Sequence, residues 1–298
     1  MTGKGGVGKT TIAAGLARAL ADSGRRVLLC SVDDRADLAD AFGLPRLSFE
    51  PTAVDERLFV MAMDTEASLR EYLKIYLKLP LVGRIGPVAA AFDFVATAAP
   101  GVREILTIGK VCYEVREDHY DIVVVDAPAT GHVTGYLAAP QALQSLVRVG
   151  LIRSQTDWML QILSDEAQTG VVAVTTAEEM PVSETLQLLT AIRQDTTTHA
   201  AAVIINRLVA DVLLPRDEEL ATRIATTTST WSDPALAGLF DAEKYAVQRS
   251  AVTREHLAVL RAGLPATLPV YVQPYCFGAT SSPEIVREVA ASLAEELL

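Results

Sequence analysis

The sequence contains few cysteines for its length. Only three occur among 298 residues, Cys30, Cys112 and Cys276. They form no C-x-x-C pair and have no histidine spacing typical of a metal site, so neither zinc nor an iron–sulfur cluster is predicted. Cysteines that are this few and this scattered favour a reducing, cytoplasmic setting.

Positive charge and uninterrupted apolar runs are also scarce. The 26 Lys and Arg residues face 37 Asp and Glu residues, which gives a formal net charge of -11. Nucleic acid is therefore not a predicted partner, since binding to phosphate backbones needs a basic face. The most apolar stretch, residues 79–102, is interrupted by Arg84, Asp93 and several Pro and Gly residues. No stable membrane insertion is predicted from it.

Strand-like and helix-like segments alternate along the chain. The apolar runs typical of strands lie at residues 25–33, 58–64, 120–126, 170–175, 201–207 and 268–275. The segments typical of helices lie at residues 10–24, 68–86, 101–118, 181–194 and 283–298. This alternation predicts a doubly wound, mainly parallel α/β sheet flanked by helices. We interpret residues 1–298 as one domain with a helical insertion at residues 65–118, and residues 127–132 as a loop.

The beginning of the chain carries a phosphate-binding motif. Gly3 to Thr10 fits the pattern G-x-x-x-x-G-K-[ST] and runs directly into a helical segment. Backbone N–H groups of such a loop bind phosphate oxygens, Lys9 reaches the β- and γ-phosphates, and the Thr10 hydroxyl binds Mg²⁺. The motif predicts a P-loop NTPase with Mg²⁺. The predicted nucleotide-binding residues here are Gly3, Lys4, Gly5, Gly6, Val7, Gly8, Lys9, Thr10 and Thr11.

The loop is preceded by Met1 and Thr2 alone, although such a loop normally follows a β-strand. A sheet without this central strand would leave backbone groups of the neighbouring strands unpaired. We therefore expect that the first strand is missing before residue 1 and that an apolar segment of about 6–8 residues precedes it.

The second lysine of the loop, Lys4, makes the motif more specific. The run K-G-G-V-G-K-T-T resembles the deviant Walker A class, which includes the arsenite-pump and tail-anchored-protein-targeting ATPases, the MinD/ParA group and the nitrogenase iron protein. The resemblance implies ATP as the nucleotide. It also implies that Lys4 reaches across a dimer interface, like an arginine finger. The expected assembly is a homodimer or a heterodimer with a sister ATPase.

Residues 31–43 resemble switch I of the ArsA-type branch of this class. The run S-V-D-D-R-A-D-L-A-D-A-F-G ends in the D-A-F-G of that branch. The resemblance implies that Asp33 polarises the attacking water, with Asp34 as the competing candidate. The Pro and His that usually follow the aspartate are replaced here by Asp34 and Ala36.

Residues 126–132 resemble switch II of the same branch. Asp126 ends an apolar run, and an acid in that position suits Mg²⁺ binding through water. Thr130, Gly131 and His132 match the T-G-H of the branch. His132 is either a pH-sensitive base or a hydrogen-bonding residue of the switch.

The base-binding pocket is expected further along the chain. The run V-I-I-N-R resembles the adenine-reading strand, where Asn206 would present a donor and an acceptor to the base edge. Pro274 and Tyr275 would supply the other wall.

The resemblance covers most of the chain and implies a cytoplasmic ATPase that hydrolyses ATP to ADP and phosphate. The first functional interpretation is a dimer whose opening and closing handles an apolar or membrane-protein client. Its groove would be lined by apolar residues, namely Leu69, Leu73, Tyr76, Leu77, Leu81, Phe92, Phe94, Val95, Trp158 and Met159. The same apolar residues would also fit a hydrophobic core.

Two other functions stay open. The first is the ATPase subunit of an arsenite or antimonite pump, which needs clustered soft ligands that three isolated cysteines do not offer. The second is a slow nucleotide switch that acts by assembly, as MinD/ParA proteins do. The acidic C-terminal segment suits a MinD-like membrane helix poorly.

Overall fold

The computed structural model describes residues 1–33, 35–76, 101–146, 149–209 and 234–297. The strands in this part of the chain are β1 (Thr2–Gly3), β2 (Val27–Ser31), β3 (Thr52–Ala53), β4 (Leu58–Ala62), β5 (Ile122–Asp126), β6 (Val171–Thr175), β7 (Ala200–Leu208) and β8 (Val270–Pro274). The helices are α1 (Lys9–Asp22), α2 (Arg35–Ala41), α3 (Thr65–Tyr76), α4 (Val102–Arg116), α5 (Thr130–Leu146), α6 (Leu151–Ser164), α7 (Glu179–Asp195), α8 (Pro234–Gly263) and α9 (Ser282–Leu297).

The strands form two groups, β3-β4-β2-β5 and β1-β6-β7-β8, and Met1 joins them. The main-chain nitrogen of Met1 donates to the Val125 carbonyl at 2.8 Å, and its own carbonyl accepts from Ala127 N–H at 3.0 Å. The short strand β1 therefore lies between β5 and β6. Within the described residues every strand pair is parallel except β3 with β4. A further strand ahead of residue 1 stays a prediction.

Helices cover both faces of this sheet, because its central strands are apolar on both sides. All five residues of β2 are buried, as expected of a parallel strand inside a doubly wound sheet. Val27 and Leu29 belong to one core cluster with residues of α1, α2 and α9. Leu28 and Cys30 belong to the opposite cluster with residues of α4, α5 and α7. The predicted doubly wound α/β fold is confirmed.

The structure corrects the prediction of a loop at residues 127–132, because α5 already begins at Thr130. Gly131 in its first turn lowers the helix propensity, so the sequence pattern does not indicate that a helix begins here. The helix is stabilised by tertiary packing instead. Val133, Tyr136 and Leu137 recur at helical spacing and are all buried.

The predicted insertion at residues 65–118 contributes α3 and α4, which pack together with α5 and α6. A cavity of about 180 Å³ lies among these four helices. Leu69, Trp158 and Met159 line it, and Leu73 is buried nearby. The other residues of the predicted groove, Leu77, Leu81, Phe92, Phe94 and Val95, and the side chain of Tyr76 lie outside the described part of the chain. A helical insertion at residues 65–118 within a single domain stays a prediction.

A buried ionic cluster connects α3 and α4. The Lys110 ammonium contacts Glu114 Oε1 at 2.6 Å and Glu71 Oε2 at 2.8 Å, and the side chains of Lys110 and Glu114 are 7% and 6% exposed. Burial alone would lower the pKa of Lys110, but the hydrogen bonds that its ammonium group donates to Glu114 and Glu71 outweigh this effect and raise the pKa. The lysine therefore stays charged although it is buried between α3 and α4.

We expect Lys110→Met to lower the free energy of unfolding by about 3 kcal/mol, because it leaves two carboxylates without their buried cation. The matched control is Lys74→Met, since Lys74 lies on exposed α3 surface and should change stability by less than about 0.5 kcal/mol. Urea unfolding measures both variants. Equal, small effects of the two substitutions would contradict a structural role for the cluster.

Candidate functional site

The phosphate loop between β1 and α1 lies close to the ends of β6 and β7. A Cβ atom on Gly3 would lie 2.0 Å from the carbonyl oxygen of Val174 in β6. Gly8, the residue before α1, has a φ of 87°, and a Cβ atom there would lie 2.4 Å from Asn206 Nδ2. Both positions require glycine, because a side chain would push the loop away from the strands. Of the other predicted loop residues, Gly5 and Gly6 are exposed, Val7 is buried and Thr11 is half-buried.

The start of α1 brings a hydroxyl group to the carboxyl end of β5. Thr10 Oγ1 donates to Asp126 Oδ2 at 2.7 Å, and Asp126 is 6% exposed. Lys9 Nζ donates to the Lys4 carbonyl at 3.3 Å along the loop. A hydroxyl and a carboxylate are oxygen donors of the kind that Mg²⁺ prefers, so these two residues fit that ion.

The lysine at the front of the loop, Lys4, has a partner on another helix. Its ammonium group donates to Glu184 Oε1 of α7, and Thr130 Oγ1 donates to Glu184 Oε2 at 3.0 Å. The hydrogen bond from Lys4 lowers the pKa of the Glu184 carboxyl, against the opposing effect of burial. Sequence reasoning missed Glu184, because a single acid on an amphipathic helix looks like any solvated residue.

The predicted water-orienting residue, Asp33, follows the carboxyl end of β2. It therefore lies at the same edge of the sheet as Asp126, which ends the neighbouring parallel strand β5. Its side chain is 48% exposed, and its Oδ1 accepts from Arg103 Nη2 at 2.8 Å. Arg103 lies at the start of α4, so the ion pair connects Asp33 to one of the four helices that surround the cavity. The alternative residue, Asp34, lies outside the described residues.

The three predicted switch II residues form the first turn of α5. Thr130 contacts Glu184 as described above, whereas Gly131 and His132 are exposed. The His132 main-chain N–H donates to the Ala129 carbonyl at 2.9 Å. A base or hydrogen-bonding role for the His132 ring stays a prediction.

Asn206 at the end of β7 holds the phosphate loop. Its Nδ2 donates to the Val7 carbonyl at 2.7 Å, and its Oδ1 accepts from the N–H of Arg207 at 2.9 Å. Arg207 has a φ of 56° and donates from Nη1 to the Gly6 carbonyl at 3.1 Å. The side-chain amide of Asn206 retains one hydrogen and one lone pair beyond these bonds, so adenine reading stays a prediction.

The predicted second wall of the base pocket lies at the next strand. Pro274 ends β8 and is in register with Leu208 of β7. The N–H of Tyr275 donates to the Leu208 carbonyl at 3.0 Å, and Tyr275 is 46% exposed. Its ring centroid lies 4.7 Å from that of Phe277. The structure thus places Tyr275 beside the end of the strand that carries Asn206.

Two of the three cysteines are poorly suited to bind soft metals. Burial raises the pKa of the Cys30 thiol and raises that of Cys112 to about 12. The thiolate is the form that binds metals, so both groups are held in the wrong protonation state. In the described part of the chain, no three His, Cys, Asp or Glu side chains converge on a site that could hold a metal ion.

The helices in this part of the chain include none that is long and apolar enough to cross a membrane.

Comparison with known proteins identifies the family. The model of the anion-transporting ATPase family matches residues 1–160 and 151–223. ATPase BagA of Mycobacterium tuberculosis is 37% identical over 228 residues, which cover 73% of this chain and 66% of BagA. ATPase get3 of Neurospora crassa is 33% identical over 156 residues, covering 51% and 46% of the two chains.

A more distant relative carries the provisional name arsenical pump-driving ATPase 2 and comes from Aquifex aeolicus. It is 28% identical over 251 residues, which cover 74% of this chain and 82% of the relative. The chain spans just under two thirds, 66%, of the length of the mycobacterial relatives. The family match extends over far more than half of the chain, and the chain therefore belongs to the anion-transporting ATPase family.

We expect Asn206→Ala to weaken binding of Mg-ATP and Mg-GTP by a similar factor of roughly tenfold, because it leaves the buried Val7 carbonyl without its donor. Arg207→Ala is the control, since it removes an exposed contact to the same loop and should cost less. Titration with fluorescent nucleotides measures both. A loss confined to Mg-ATP would instead assign Asn206 to adenine reading.

We expect iodoacetamide at pH 8 to alkylate Cys276 of the native protein well before Cys30 or Cys112. Cys276 is half-buried, whereas the other two thiols are buried, and burial keeps them protonated at this pH. Mass spectrometry of peptides before and after unfolding in urea measures the order of labelling. Rapid labelling of all three cysteines in the native protein would contradict the structure.

Proposed function

We propose that this member of the anion-transporting ATPase family binds Mg-ATP at the loop Gly3–Thr11 and hydrolyses it to ADP and phosphate. The observation that carries the proposal is the contact between Thr10 Oγ1 and Asp126 Oδ2 at 2.7 Å, next to a glycine loop that leads into α1. The family match supports the same activity.

The phosphate groups of ATP would be bound by loop N–H groups and by the N-terminus of α1. Thr10 and Asp126 would hold Mg²⁺, which when bound neutralises charge on the β- and γ-phosphate oxygens. Lys9 would exchange its contact with the Lys4 carbonyl for a γ-phosphate oxygen. Hydrolysis depends mainly on position and charge, so no general base is required.

Asp33 would orient the attacking water in this reaction. To do so its carboxylate would leave Arg103, whose Nη2 donates a hydrogen bond to Asp33 Oδ1 at 2.8 Å. About half of each side chain is exposed, and ion pairs of this kind contribute only about 1 kcal/mol or less. Nucleotide binding could therefore break the pair at low cost.

The partner of this nucleotide cycle is proposed to be an apolar protein client. Two observations support it: the apolar cavity among α3, α4, α5 and α6, and the Arg103–Asp33 pair that connects those helices to the nucleotide site. Dimer formation, with itself or with a sister ATPase, is part of the proposal and rests on the resemblance of the loop K-G-G-V-G-K-T-T to the deviant Walker A class, which implies that Lys4 acts across a dimer interface. Three free cysteines support a reducing, cytoplasmic compartment.

A slow nucleotide switch is the second candidate. One observation favours it, since Asp33 and Lys4 both have partners, Arg103 and Glu184, other than the phosphate loop itself. Such an arrangement predicts slow basal turnover that a partner accelerates. The pump function of the Aquifex relative is less well supported here, because Cys30 and Cys112 are buried neutral thiols.

The test is phosphate release by the purified chain with ATP, with and without Mg²⁺. We expect Mg²⁺-dependent release, and we expect Asp33→Asn to lower kcat by about 100-fold with little change in KM, since water is then poorly oriented. Asp195→Asn at the exposed end of α7 is the matched control and should keep kcat within about twofold. Arsenite should give no stimulation.

Absence of phosphate release by the wild-type chain would overturn the proposed activity. A normal rate in Asp33→Asn would overturn only the role of Asp33 and would leave Asp34 as the candidate for orienting the water. Stimulation by arsenite would favour the pump function instead. Detectable turnover that stays slow, and that an added apolar peptide does not accelerate, would favour the nucleotide switch.

A further inference from the structure

A single carboxylate, that of Glu184, contacts two separate segments of the nucleotide site. Its Oε1 accepts a hydrogen bond from the ammonium group of Lys4 in the phosphate loop. Its Oε2 accepts from Thr130 Oγ1 at 3.0 Å, at the first residue of α5. Both acceptor oxygens are therefore engaged, each by a different element, and 180 and 54 residues of chain separate the partners from Glu184.

The packing of α7 sets the position of this carboxylate. The helix follows β6, which pairs with β1 through Gly3 and Val174, and it packs against β1 and α5. Val182 and Thr185, on either side of Glu184, are buried. The helix cannot rotate without exposing them, so Glu184 is held at the front of the loop.

The contact lies partly out of water. The side chains of Lys4 and Glu184 are 30% and 27% exposed, compared with 64% and 53% for the surface pair Arg70–Glu66. Partial burial weakens screening by solvent, so the attraction between the two charges is stronger than in a typical surface ion pair. The charge of Lys4 is thus neutralised within its own chain.

The two lysines of the loop therefore have partners of different charge. Lys9 contacts only the loop carbonyl of Lys4, at 3.3 Å, and faces no carboxylate in the described contacts. Lys4 is paired with a carboxylate. Stabilisation of a transferring phosphoryl group depends on positive charge placed at its oxygens. The Lys4 ammonium therefore has to move away from Glu184 before its charge acts fully on a phosphate.

We propose that Glu184 is a positioning residue of the nucleotide site, which holds Lys4 in a resting position and links its release to Thr130 at the start of α5. The inference rests on the proposed ATPase function. When Lys4 leaves, the carboxylate keeps Thr130 as its partner and loses its cation. Movement of Lys4 then changes the charge environment of Thr130, the first residue of α5. Helix α5 in turn packs against the helices that surround the cavity.

The first part of the test asks whether the contact exists, and it needs no nucleotide. Lys4→Met, Glu184→Gln and the double variant form a double-mutant cycle in the ligand-free chain, followed by urea unfolding. We expect the effects to be non-additive, with a coupling of roughly threefold in the unfolding equilibrium constant. Additive effects would mean that the two side chains do not interact, which would overturn the proposal.

The second part measures ATP turnover. Glu184→Gln keeps the shape and an acceptor for Thr130 but removes the charge that holds Lys4, so we expect kcat to rise roughly threefold with KM for ATP unchanged within about twofold. Glu184→Asp keeps the charge on a shorter side chain and should lie between wild type and Glu184→Gln. Glu179→Gln is the matched control, an exposed acid in the first turn of the same helix, and should leave kcat unchanged.

The outcomes separate the two proposals. If the wild-type chain hydrolyses no ATP, the proposed function fails and the role of Glu184 fails with it. If the wild type is active but Glu184→Gln lowers kcat or matches Glu179→Gln, only the positioning role is overturned. A change in KM alone would assign Glu184 to nucleotide binding and would also contradict the proposal.

Discussion

The nucleotide site depends on how closely the phosphate loop lies against three strand ends. Gly3 leaves no room for a side chain against the Val174 carbonyl, and Gly8 leaves none against Asn206. Asn206 then binds the loop from the side through the Val7 carbonyl. Because β5 lies on the other side of β1, the same close fit brings Thr10 to Asp126. The residues proposed to hold Mg²⁺ and the loop proposed to bind phosphate are therefore positioned by the close packing of the loop against the strand ends.

Charged side chains around this rigid centre are placed differently. Lys4 pairs with Glu184 and Asp33 pairs with Arg103, so both residues proposed to act on the reacting phosphate and water are held by partners within the chain. Glu184 lies on α7 and Arg103 lies on α4, and both helices pack against α5. Such pairs are weak enough for a nucleotide to displace. In the proposed function, this arrangement would connect hydrolysis with movement of the helices.

Local patterns in the sequence predicted the parts of the structure that local physics decides. The apolar run of β2, the glycine loop and the strand-end acid Asp126 each have a composition that few other structures allow. The start of α5 was missed, since Gly131 disfavours a helix that packing of Tyr136 and its neighbours then stabilises. Glu184 and Arg103 could not be found by pattern, because an acid or a base on an amphipathic helix is recognisable only when the fold brings its partner to it.

The central claim is that the phosphate loop and the segment that ends β5 and begins α5 respond together to Mg-ATP. Hydrogen exchange of the backbone amides, with and without Mg-ATP, tests it most directly. The account predicts added protection in residues 3–11 and 126–132, with a smaller change around Glu184 as Lys4 leaves it. Protection limited to other parts of the chain, or no change in residues 3–11, would contradict the account.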